Sequence, residues 1–380
     1  MKNVVIAGYA RSPFTFAMKG EMSKVRPDDL AGRVVKALIE RTGVKGEDIE
    51  DLICGCAFPE GEQGYNVGRI IDFLSEVLPI SVAGMTVNRF CGSSMQSIHI
   101  AAGAIQLNAG EAFVCAGVES MSRVPMAGFN PMPNPALYAS FPAAYMSMGE
   151  TAENLAEKYQ ITREEQEAFA VVSQRRAAAA RSEGRLRDEI VPISHEGVAV
   201  TEDGCIRADT DEQGLAGLNP AFLDKGSVTA GTSSPLTDGA AAVLVCSEDY
   251  AAANGLEPLA RVRSIAVGGC APEIMGIGPV VATRKAIERA GVDLGDIDVI
   301  ELNEAFAVQA IACMRELGLD HDKVNIDGGA IAIGHPLGAT GARITGKAAS
   351  LLKREGKRYA LATQCIGGGQ GIATVLESVS

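Results

Sequence analysis

An internal repeat is the sequence feature that most restricts the possible folds of this chain. Residues 37–43 have the sequence ALIERTG and lead through an acidic turn into the apolar residues 52–54. Residues 286–291 have the similar sequence AIERAG and lead through a similar turn into the apolar residues 299–300. Each copy has the pattern of an amphipathic helix that stops at glycine and precedes a buried strand. The repeat therefore predicts an α/β protein built from two duplicated halves.

The repeat extends beyond this helix and strand. Val-Asn occurs at residues 87–88 and again at 324–325, each time before a turn rich in small residues. Residues 112–117 and 359–364 both have the composition of a buried strand near the end of their half. Strands that alternate with helices in both copies favour βαβ-rich domains.

The segment between the two copies has a different composition. Residues 123–150 are rich in proline, methionine and alanine, residues 151–183 have a polar helical pattern, and a loop region follows to about residue 225. The first copy resumes at about residue 227. We therefore predict an N-terminal domain of residues 1–120 plus 226–250, an inserted loop domain of residues 121–225, and a C-terminal domain of residues 251–380.

Charge and hydropathy exclude several classes of protein. The net charge of −13 argues against a nucleic-acid partner, which requires a basic surface. No apolar run reaches the roughly 18 residues that a membrane-spanning helix needs. The N-terminal apolar stretch is too short for a signal peptide, and the last residues carry no peroxisomal tripeptide. We therefore expect a cytoplasmic protein.

The nine cysteines indicate reduced thiols rather than a disulfide framework, because no secretory pattern accompanies them. Cys54 and Cys56 form a C-x-C pair within an apolar stretch. No second ligand pair of the kind that zinc sites use lies nearby. We interpret the pair as buried structural thiols and predict no metal site.

Cys91 is the first candidate for chemistry. It lies in the sequence VNRFCGSS of residues 87–94, just before a helical pattern at 95–107. The positive end of a helix favours thiolate over thiol, and the neighbouring small residues permit a tight turn. Taken alone, Cys91 is either a nucleophile or one more buried thiol.

His335 occupies a glycine-rich segment. Residues 328–341 have the sequence GGAIAIGHPLGATG and precede a helix predicted from about residue 342. Glycine-rich turns before helices often bind phosphate, but the G-x-G-x-x-G register of dinucleotide-binding loops is missing. A histidine between glycine and proline is not typical of core packing, whereas His99 has the position of a packed or surface helix residue. His335 is therefore a candidate acid–base residue.

Two further candidates follow predicted strands. Cys365 begins the sequence CIGGGQG, whose three successive glycines either expose N–H groups for an oxyanion hole or form a plain tight turn. Asn303 begins the sequence NEAFA, where it could orient a water or close a turn. Because α/β folds place their chemistry at strand ends, these residues are candidates to act with Cys91 and His335.

These motifs resemble those of the thiolase family, and within it the degradative 3-ketoacyl-CoA thiolases (acetyl-CoA acyltransferases). The resemblance covers essentially the whole chain. The similar stretches are residues 87–94, 228–234, 303–307, 328–341 and 365–371. It implies a thiolase-like α/β fold, with two duplicated βαβ-rich domains in a five-layered α/β/α/β/α arrangement and an inserted loop domain that grips coenzyme A. It also implies a homodimer or homotetramer.

The resemblance gives each catalytic candidate a role. Cys91 would be the acyl-accepting nucleophile, and His335 would take its proton. Cys365 would protonate the departing acetyl-CoA enolate and deprotonate the incoming CoA, which requires a thiol pKa near neutrality. The backbone N–H groups of Cys91 and Gly367 would hold the thioester oxygen. His335 and a water held by Asn303 would meet the enolate oxygen.

The resemblance also predicts contacts to coenzyme A, which would be a substrate, with no permanently bound cofactor. Two of these residues would lie beside the pantetheine, one would line the acyl or pantetheine channel, and Arg207 would lie near the nucleotide end. For Arg207, a solvated loop charge is an equally open interpretation. The predicted contacts are Met148, Arg207, Ala230, Ser234, Ala305 and Phe306.

The implied function is cleavage of a 3-ketoacyl-CoA to acetyl-CoA and a shortened acyl-CoA, as in fatty acid β-oxidation. A biosynthetic acetoacetyl-CoA thiolase is the alternative, because it shares the catalytic residues. A decarboxylating ketoacyl synthase has histidine or asparagine in place of Cys365, and a catalytically silent CoA-binding relative lacks the catalytic residues. A nicotinamide-dependent oxidoreductase is suggested only by glycine richness. Some family members work in a complex with a hydratase/dehydrogenase subunit.

Overall fold

Two halves with similar strand order form one large mixed sheet. The computed structural model describes residues 2–379. Ten of its strands form this sheet, and two form a separate hairpin. The strands are β1 (Val4–Arg11), β2 (Thr15–Phe16), β3 (Ile49–Gly55), β4 (Ala83–Val87), β5 (Ala112–Ser120), β6 (Ile193–His195), β7 (Val198–Val200), β8 (Thr237–Ser247), β9 (Ala260–Gly269), β10 (Val299–Leu302), β11 (Tyr359–Ile366) and β12 (Gln370–Glu377). The helices are α1 (Pro27–Thr42), α2 (Val67–Ser75), α3 (Ser93–Gln106), α4 (Pro135–Ser140), α5 (Met148–Tyr159), α6 (Arg163–Ser182), α7 (Glu212–Ala216), α8 (Glu248–Ala253), α9 (Gly278–Ala290), α10 (Ala307–Leu317), α11 (Ala330–Ile333) and α12 (Leu337–Glu355).

The strand order repeats because the sequence repeats. The order is β4-β3-β5-β8-β1 in the first half and β10-β11-β12-β9 in the second. β3 is parallel to β5 and β10 is parallel to β11, whereas β8 and β12 are antiparallel to both neighbours. Val324 forms only a short parallel bridge to Ile300 where the first half has β4. The halves join edge to edge where β1 pairs with β9.

The two halves of the sheet lie on opposite sides of a central helix layer, and further helices cover their outer faces. α1 and α2 bury their apolar faces on the outside of the first half, and α9 and α10 do so on the second. α3 and α12 lie between the halves, where α3 contacts β5 and β12 and α12 contacts β5 and β11. The predicted five-layered α/β/α/β/α arrangement is thereby confirmed.

Two helix boundaries differ from the sequence prediction. The polar stretch at residues 151–183 is two helices, α5 and α6, because Gln160 adopts a left-handed φ of 52° and ends the first. Thr162 then accepts the N–H of Glu165 and starts the second through a capping box. α12 begins at Leu337 rather than near residue 342, so it starts within the glycine-rich segment, two residues after His335.

The cysteines are all unpaired thiols, as their number without a secretory pattern predicts. Cys54 and Cys56 are fully buried in the core on the outer side of the first half, which confirms their interpretation as packed thiols. Within the described residues, no group of three His, Cys, Asp or Glu side chains could hold a metal ion. No helix in this part of the chain has the length and apolar character needed to cross a membrane.

Glycine allows α3 and α12 to cross in close contact near their N-terminal turns. A Cβ on Gly341 would lie 2.2 Å from the backbone nitrogen of Met95 in α3. A Cβ on Gly338 would lie 2.4 Å from the carbonyl oxygen of Val118 in β5. Because both obstructions are backbone atoms, any larger residue at either position would push the helix away from the first half.

We expect Gly341→Ala to destabilise the protein by about 1–3 kcal/mol, the usual cost of overpacking a close contact. The matched control is Gly103→Ala in α3, where nothing lies within 4 Å of the new methyl group. That control should be neutral or stabilising by up to about 1 kcal/mol, since alanine is the better helix former. Thermal unfolding of the two variants measures the difference, and equal Tm values would contradict the close crossing.

Candidate active site

The four predicted catalytic side chains lie at the junction of the two halves, and all are buried. They follow strand ends or precede the two central helices, as the repeat predicts. Cys91 lies two residues before α3, and His335 lies two residues before α12. Asn303 directly follows β10, and Cys365 lies near the end of β11. The equivalent helices of the two copies therefore present a thiol and an imidazole to the same region.

A tight turn built by side-chain hydrogen bonds fixes Cys91. The Asn88 side-chain oxygen accepts the N–H of Phe90 at 2.8 Å, and the Ser93 hydroxyl accepts the N–H of Arg89 at 2.9 Å. Phe90 has a left-handed φ of 43°, a conformation that costs roughly 1–3 kcal/mol in a residue other than glycine. The Gln364 side chain donates a hydrogen bond to the Cys91 carbonyl oxygen and ties this turn to β11.

Cys91 is a protonated thiol in the free protein. Burial raises the pKa of Cys91 to about 12, and the nearby backbone N–H groups of Gly367 and of Cys91 itself lower it only in part. The expectation that the start of α3 makes Cys91 a thiolate is therefore wrong for the free protein. Desolvation of the charged sulfur outweighs the positive helix end.

His335 is a neutral base with a defined tautomer. Burial, aided by the charge of Arg343, lowers the pKa of His335 to about 3. The Thr340 hydroxyl donates to the Pro336 carbonyl oxygen at 3.0 Å, so it accepts a hydrogen bond from His335 Nδ1 at 2.7 Å. Nδ1 thus carries the proton, and Nε2 keeps a lone pair 3.3 Å from the side-chain nitrogen of Asn303.

Cys365 is also uncharged in the free protein. Burial, and next the nearby Cys91 thiol, raise its pKa well above the ordinary value. The predicted shift toward neutrality is therefore wrong for the substrate-free protein. Cys365 packs in an apolar cluster with Phe306 and, at its edge, Met148.

The glycine turn after Cys365 brings a backbone donor to Cys91. Gly368 and Gly369 have left-handed φ values of 78° and 80°, which glycine adopts without strain. A Cβ on Gly369 would lie 2.3 Å from the Cys270 carbonyl oxygen, so the turn also needs the missing side chain. The turn leaves the Gly367 N–H near the Cys91 sulfur, where it lowers the pKa of the thiol.

Most of the predicted CoA contacts gather beside Cys365. Both the N–H and the hydroxyl of Ser234 donate to the Ala305 carbonyl oxygen, at 3.0 and 3.1 Å. Ser233 forms a backbone bridge to Phe306. Met148 begins α5, and its sulfur lies 3.4 Å from the position of a Cβ on Gly367.

Two predicted contacts lie further out. Ala230 is exposed and lies just after the predicted inserted segment. Arg207 is exposed, and its guanidinium lies 4.9 Å from the centre of the Phe16 ring. No hydrogen bond or ring contact of Arg207 in the described residues involves the other predicted CoA contacts.

Sequence reasoning missed three residues of the site. Thr340 sets the His335 tautomer, and Gln364 holds the Cys91 backbone. Phe222 of the inserted segment meets Phe306 edge to face at 5.8 Å and lies where a side chain on Gly149 would be. Thr340 lies five residues after His335, and that position is the only sequence signal that could have indicated it.

Comparison with known proteins identifies the family. The model described as "Thiolase, N-terminal domain" matches residues 4–249, and "Thiolase, C-terminal domain" matches residues 256–378. The chain belongs to the thiolase family, which confirms the resemblance seen in the motifs.

Individual relatives match over nearly their whole length. The 3-ketoacyl-CoA thiolase of Bacillus subtilis (strain 168) is 49% identical, with 99% of this chain and 100% of that protein covered. A protein of the same name from Marinomonas sp. (strain MWYL1) is 48% identical over 99% of this chain and 98% of its own. The crystal structure of the Bacillus anthracis acetyl-CoA acetyltransferase superposes with a TM-score of 0.92 at 40% identity, over 100% of this chain and 99% of that one.

We expect alkylation of Cys91 by iodoacetamide in the substrate-free protein to keep rising with pH up to at least about pH 10. The reason is that the reactive thiolate forms only as pH approaches the raised pKa of about 12. Short alkylation pulses and peptide mass spectrometry measure the rate, with free cysteine, whose pKa is about 8.5, as the reference. A plateau near pH 8 would mean that Cys91 is already a thiolate.

Proposed function

We propose that this chain is a 3-ketoacyl-CoA thiolase, an acyltransferase that uses CoA to cleave a 3-ketoacyl-CoA into acetyl-CoA and a shortened acyl-CoA. The observation that carries the proposal is the pairing of a buried Cys91 thiol and a second thiol, Cys365, with a neutral His335 base at the junction of the halves. Near-50% identity over the whole chain to proteins named 3-ketoacyl-CoA thiolase supports it.

The first half-reaction transfers the acyl group to Cys91. Its sulfur attacks the 3-keto carbon while its proton moves to His335 Nε2. The bond between C2 and C3 then breaks, and its electrons pass to the enolate of acetyl-CoA. Cys365 protonates C2, and acetyl-CoA leaves. The acyl group remains on Cys91 as a thioester, whose oxygen lies against the N–H groups of Cys91 and Gly367.

The second half-reaction returns every group to its starting state. The Cys365 thiolate takes the proton of the incoming CoA thiol, and the CoA sulfur attacks the thioester carbon. Cys91 leaves as a thiolate and recovers its proton from His335. Because one product departs before CoA reacts, the kinetics are ping-pong.

The pKa directions suit this order of events. A neutral thiol and a neutral imidazole carry no charge in a buried site, so the free enzyme avoids an uncompensated ion. Charge develops only as the sulfur bonds to the substrate, when His335 becomes positive opposite an enolate oxygen. The Asn303 side-chain oxygen has no partner in the described residues, which supports a role in holding a water there.

The same proposal covers the substrate contacts. Coenzyme A is a substrate, and no permanently bound cofactor is needed. Its pantetheine would pass Ser234 and Ala230 and reach the reacting atoms beside Met148 and Phe306, and Ala305 is a further contact. Arg207 is proposed for the nucleotide end, supported only by its exposure and charge.

We also propose a domain division, an oligomeric state, a partner and a location for this chain. The proposed domains are an N-terminal domain of residues 1–120 plus 226–250, an inserted loop domain of residues 121–225 and a C-terminal domain of residues 251–380. The chain is proposed to form a homodimer or homotetramer in the cytoplasm, with a hydratase/dehydrogenase subunit as a further proposed partner. The biosynthetic acetoacetyl-CoA alternative has weaker support, because the relative named acetyl-CoA acetyltransferase is 40% identical against 49% for a 3-ketoacyl-CoA thiolase.

We expect the enzyme to cleave 3-ketoacyl-CoAs longer than acetoacetyl-CoA. Steady-state kcat/KM over a series from four to about twelve acyl carbons measures the preference. Substrates beyond four carbons should be cleaved with kcat/KM at least equal to that of acetoacetyl-CoA. Activity confined to the four-carbon substrate would instead support the biosynthetic alternative.

Substitutions of the two reactive cysteines should impair different steps of the reaction. Cys91→Ala should lower both cleavage and condensation by about 10⁴-fold or more, because no acyl acceptor remains. Cys365→Ala should still form an acyl adduct from an activated thioester, visible by mass spectrometry, while cleavage and condensation are lost. Cys246→Ala in β8 is the matched control and should keep its activity. An adduct-free Cys365→Ala protein would count against the division of roles.

A further inference from the structure

Glu119 is a buried carboxylate held entirely by hydrogen-bond donors. It lies near the end of β5 and is 1% exposed. One oxygen accepts the N–H groups of Ala57 at 2.8 Å and Gly338 at 2.9 Å. The other accepts from the Gln63 side chain at 2.8 Å and from the N–H of Phe58 at 3.2 Å.

These partners favour the ionised form of Glu119, against the effect of burial, which raises the pKa of this carboxyl. All four donate, and the Cys56 thiol donates a fifth, weaker hydrogen bond to the same oxygen as Gln63 and Phe58, at 3.7 Å. No Lys, Arg or His side chain in the described range forms an ion pair with Glu119. The negative charge is therefore solvated by the protein's own N–H groups, one of which belongs to the first turn of α12, where an anion is favoured.

Glu119 binds backbone N–H groups in and beside the apolar cluster that contains Cys91. Ala57 and Leu337 belong to the same buried apolar cluster as Cys91. Glu119 binds the N–H of Ala57 on one side and the N–H of Gly338, next to Leu337, on the other. Ala57 belongs to the first half, whereas Leu337 begins the helix that follows His335. One carboxylate thus links the nucleophile's surroundings to the helix of the base.

The charge of Glu119 also acts on the nucleophile. Glu119 opposes ionisation of Cys91 and raises the pKa of its thiol, after the larger effect of burial. The other titratable groups near this sulfur, Cys365 and His335, are uncharged at neutral pH. Cys54 and Cys56, which also face Glu119, are thiols with raised pKa values. Among these groups, Glu119 is the one whose charge acts on Cys91.

We propose that Glu119 is a positioning residue for acyl transfer, which fixes the surroundings of Cys91 against the helix of His335 and places a buried carboxylate behind the nucleophile. This inference rests on the proposed function. It separates into a mechanical part, the bridge between Ala57 and Gly338, and an electrostatic part, the negative charge behind Cys91. Two substitutions distinguish these parts.

Glu119→Gln keeps the length of the side chain and removes its charge. We expect the alkylation profile of Cys91 to move to lower pH by on the order of one unit, because the opposing charge is gone. We expect kcat to fall about 10- to 100-fold, as small displacements of reacting groups do, because the amide cannot accept all four donors. KM for CoA should stay within about two-fold, since Glu119 does not touch the predicted CoA contacts.

Glu119→Asp keeps the charge and shortens the reach by one methylene group. Its alkylation profile should match that of the wild type, while kcat falls as in Glu119→Gln because the bridge is broken. Glu153→Gln is the control for a purely structural effect, since Glu153 is also buried and binds the N–H groups of Ser227 and Val228. This control should lose thermal stability without moving the Cys91 profile.

The outcomes separate the inference from the proposed function. Alkylation needs no substrate, so a wild type that cleaves no 3-ketoacyl-CoA would refute the function and still leave the profile comparison decisive for Glu119. An unshifted profile in Glu119→Gln would overturn the electrostatic part. A wild-type kcat in Glu119→Asp would overturn the mechanical part. If Glu119→Gln does not fold, the Glu119→Asp kcat tests the bridge by itself.

Discussion

The close crossing of α3 and α12 is the contact on which the site depends. Each helix begins two residues after a reactive side chain, so the distance between their first turns sets the distance between Cys91 and His335. Gly341 and Gly338 allow backbone to meet backbone there, which no side chain would permit. A wider crossing would move the two helix starts apart, and Cys91 and His335 with them.

The same crossing makes desolvation the dominant electrostatic effect. Packing two helices between two sheet halves buries Cys91, His335 and Cys365 almost completely. Burial raises both thiol pKa values and lowers the imidazole pKa, so all three groups are neutral in the free protein. Their reactivity then depends on proton transfer between them rather than on a preformed ion, because a preformed thiolate would have to overcome the cost of a buried charge.

The fold and the reactive residues could be predicted from the sequence because each is indicated by short stretches of neighbouring residues. The repeat of helix, acidic turn and strand predicts the shared strand order, and the glycine-rich segments indicate Cys91, His335 and Cys365. The pKa directions could not be predicted, since they depend on burial by distant elements. The break between α5 and α6 has a partial signal in the sequence, because Thr162 and Glu165 have the spacing of a capping box. The left-handed φ of Gln160, which ends α5, has no such signal.

The duplication explains why the site is asymmetric although its frame is symmetric. α3 and α12 occupy equivalent places in the two copies, and the residue two positions before each helix faces the junction. A single copy would place one side chain before its central helix at the junction. Two copies joined through β1 and β9 place two, and these can be different residue types. A thiol at one and an imidazole at the other give a proton donor and its acceptor. Thr340 then fixes which nitrogen of His335 is the acceptor, a detail that the first copy has no need to repeat.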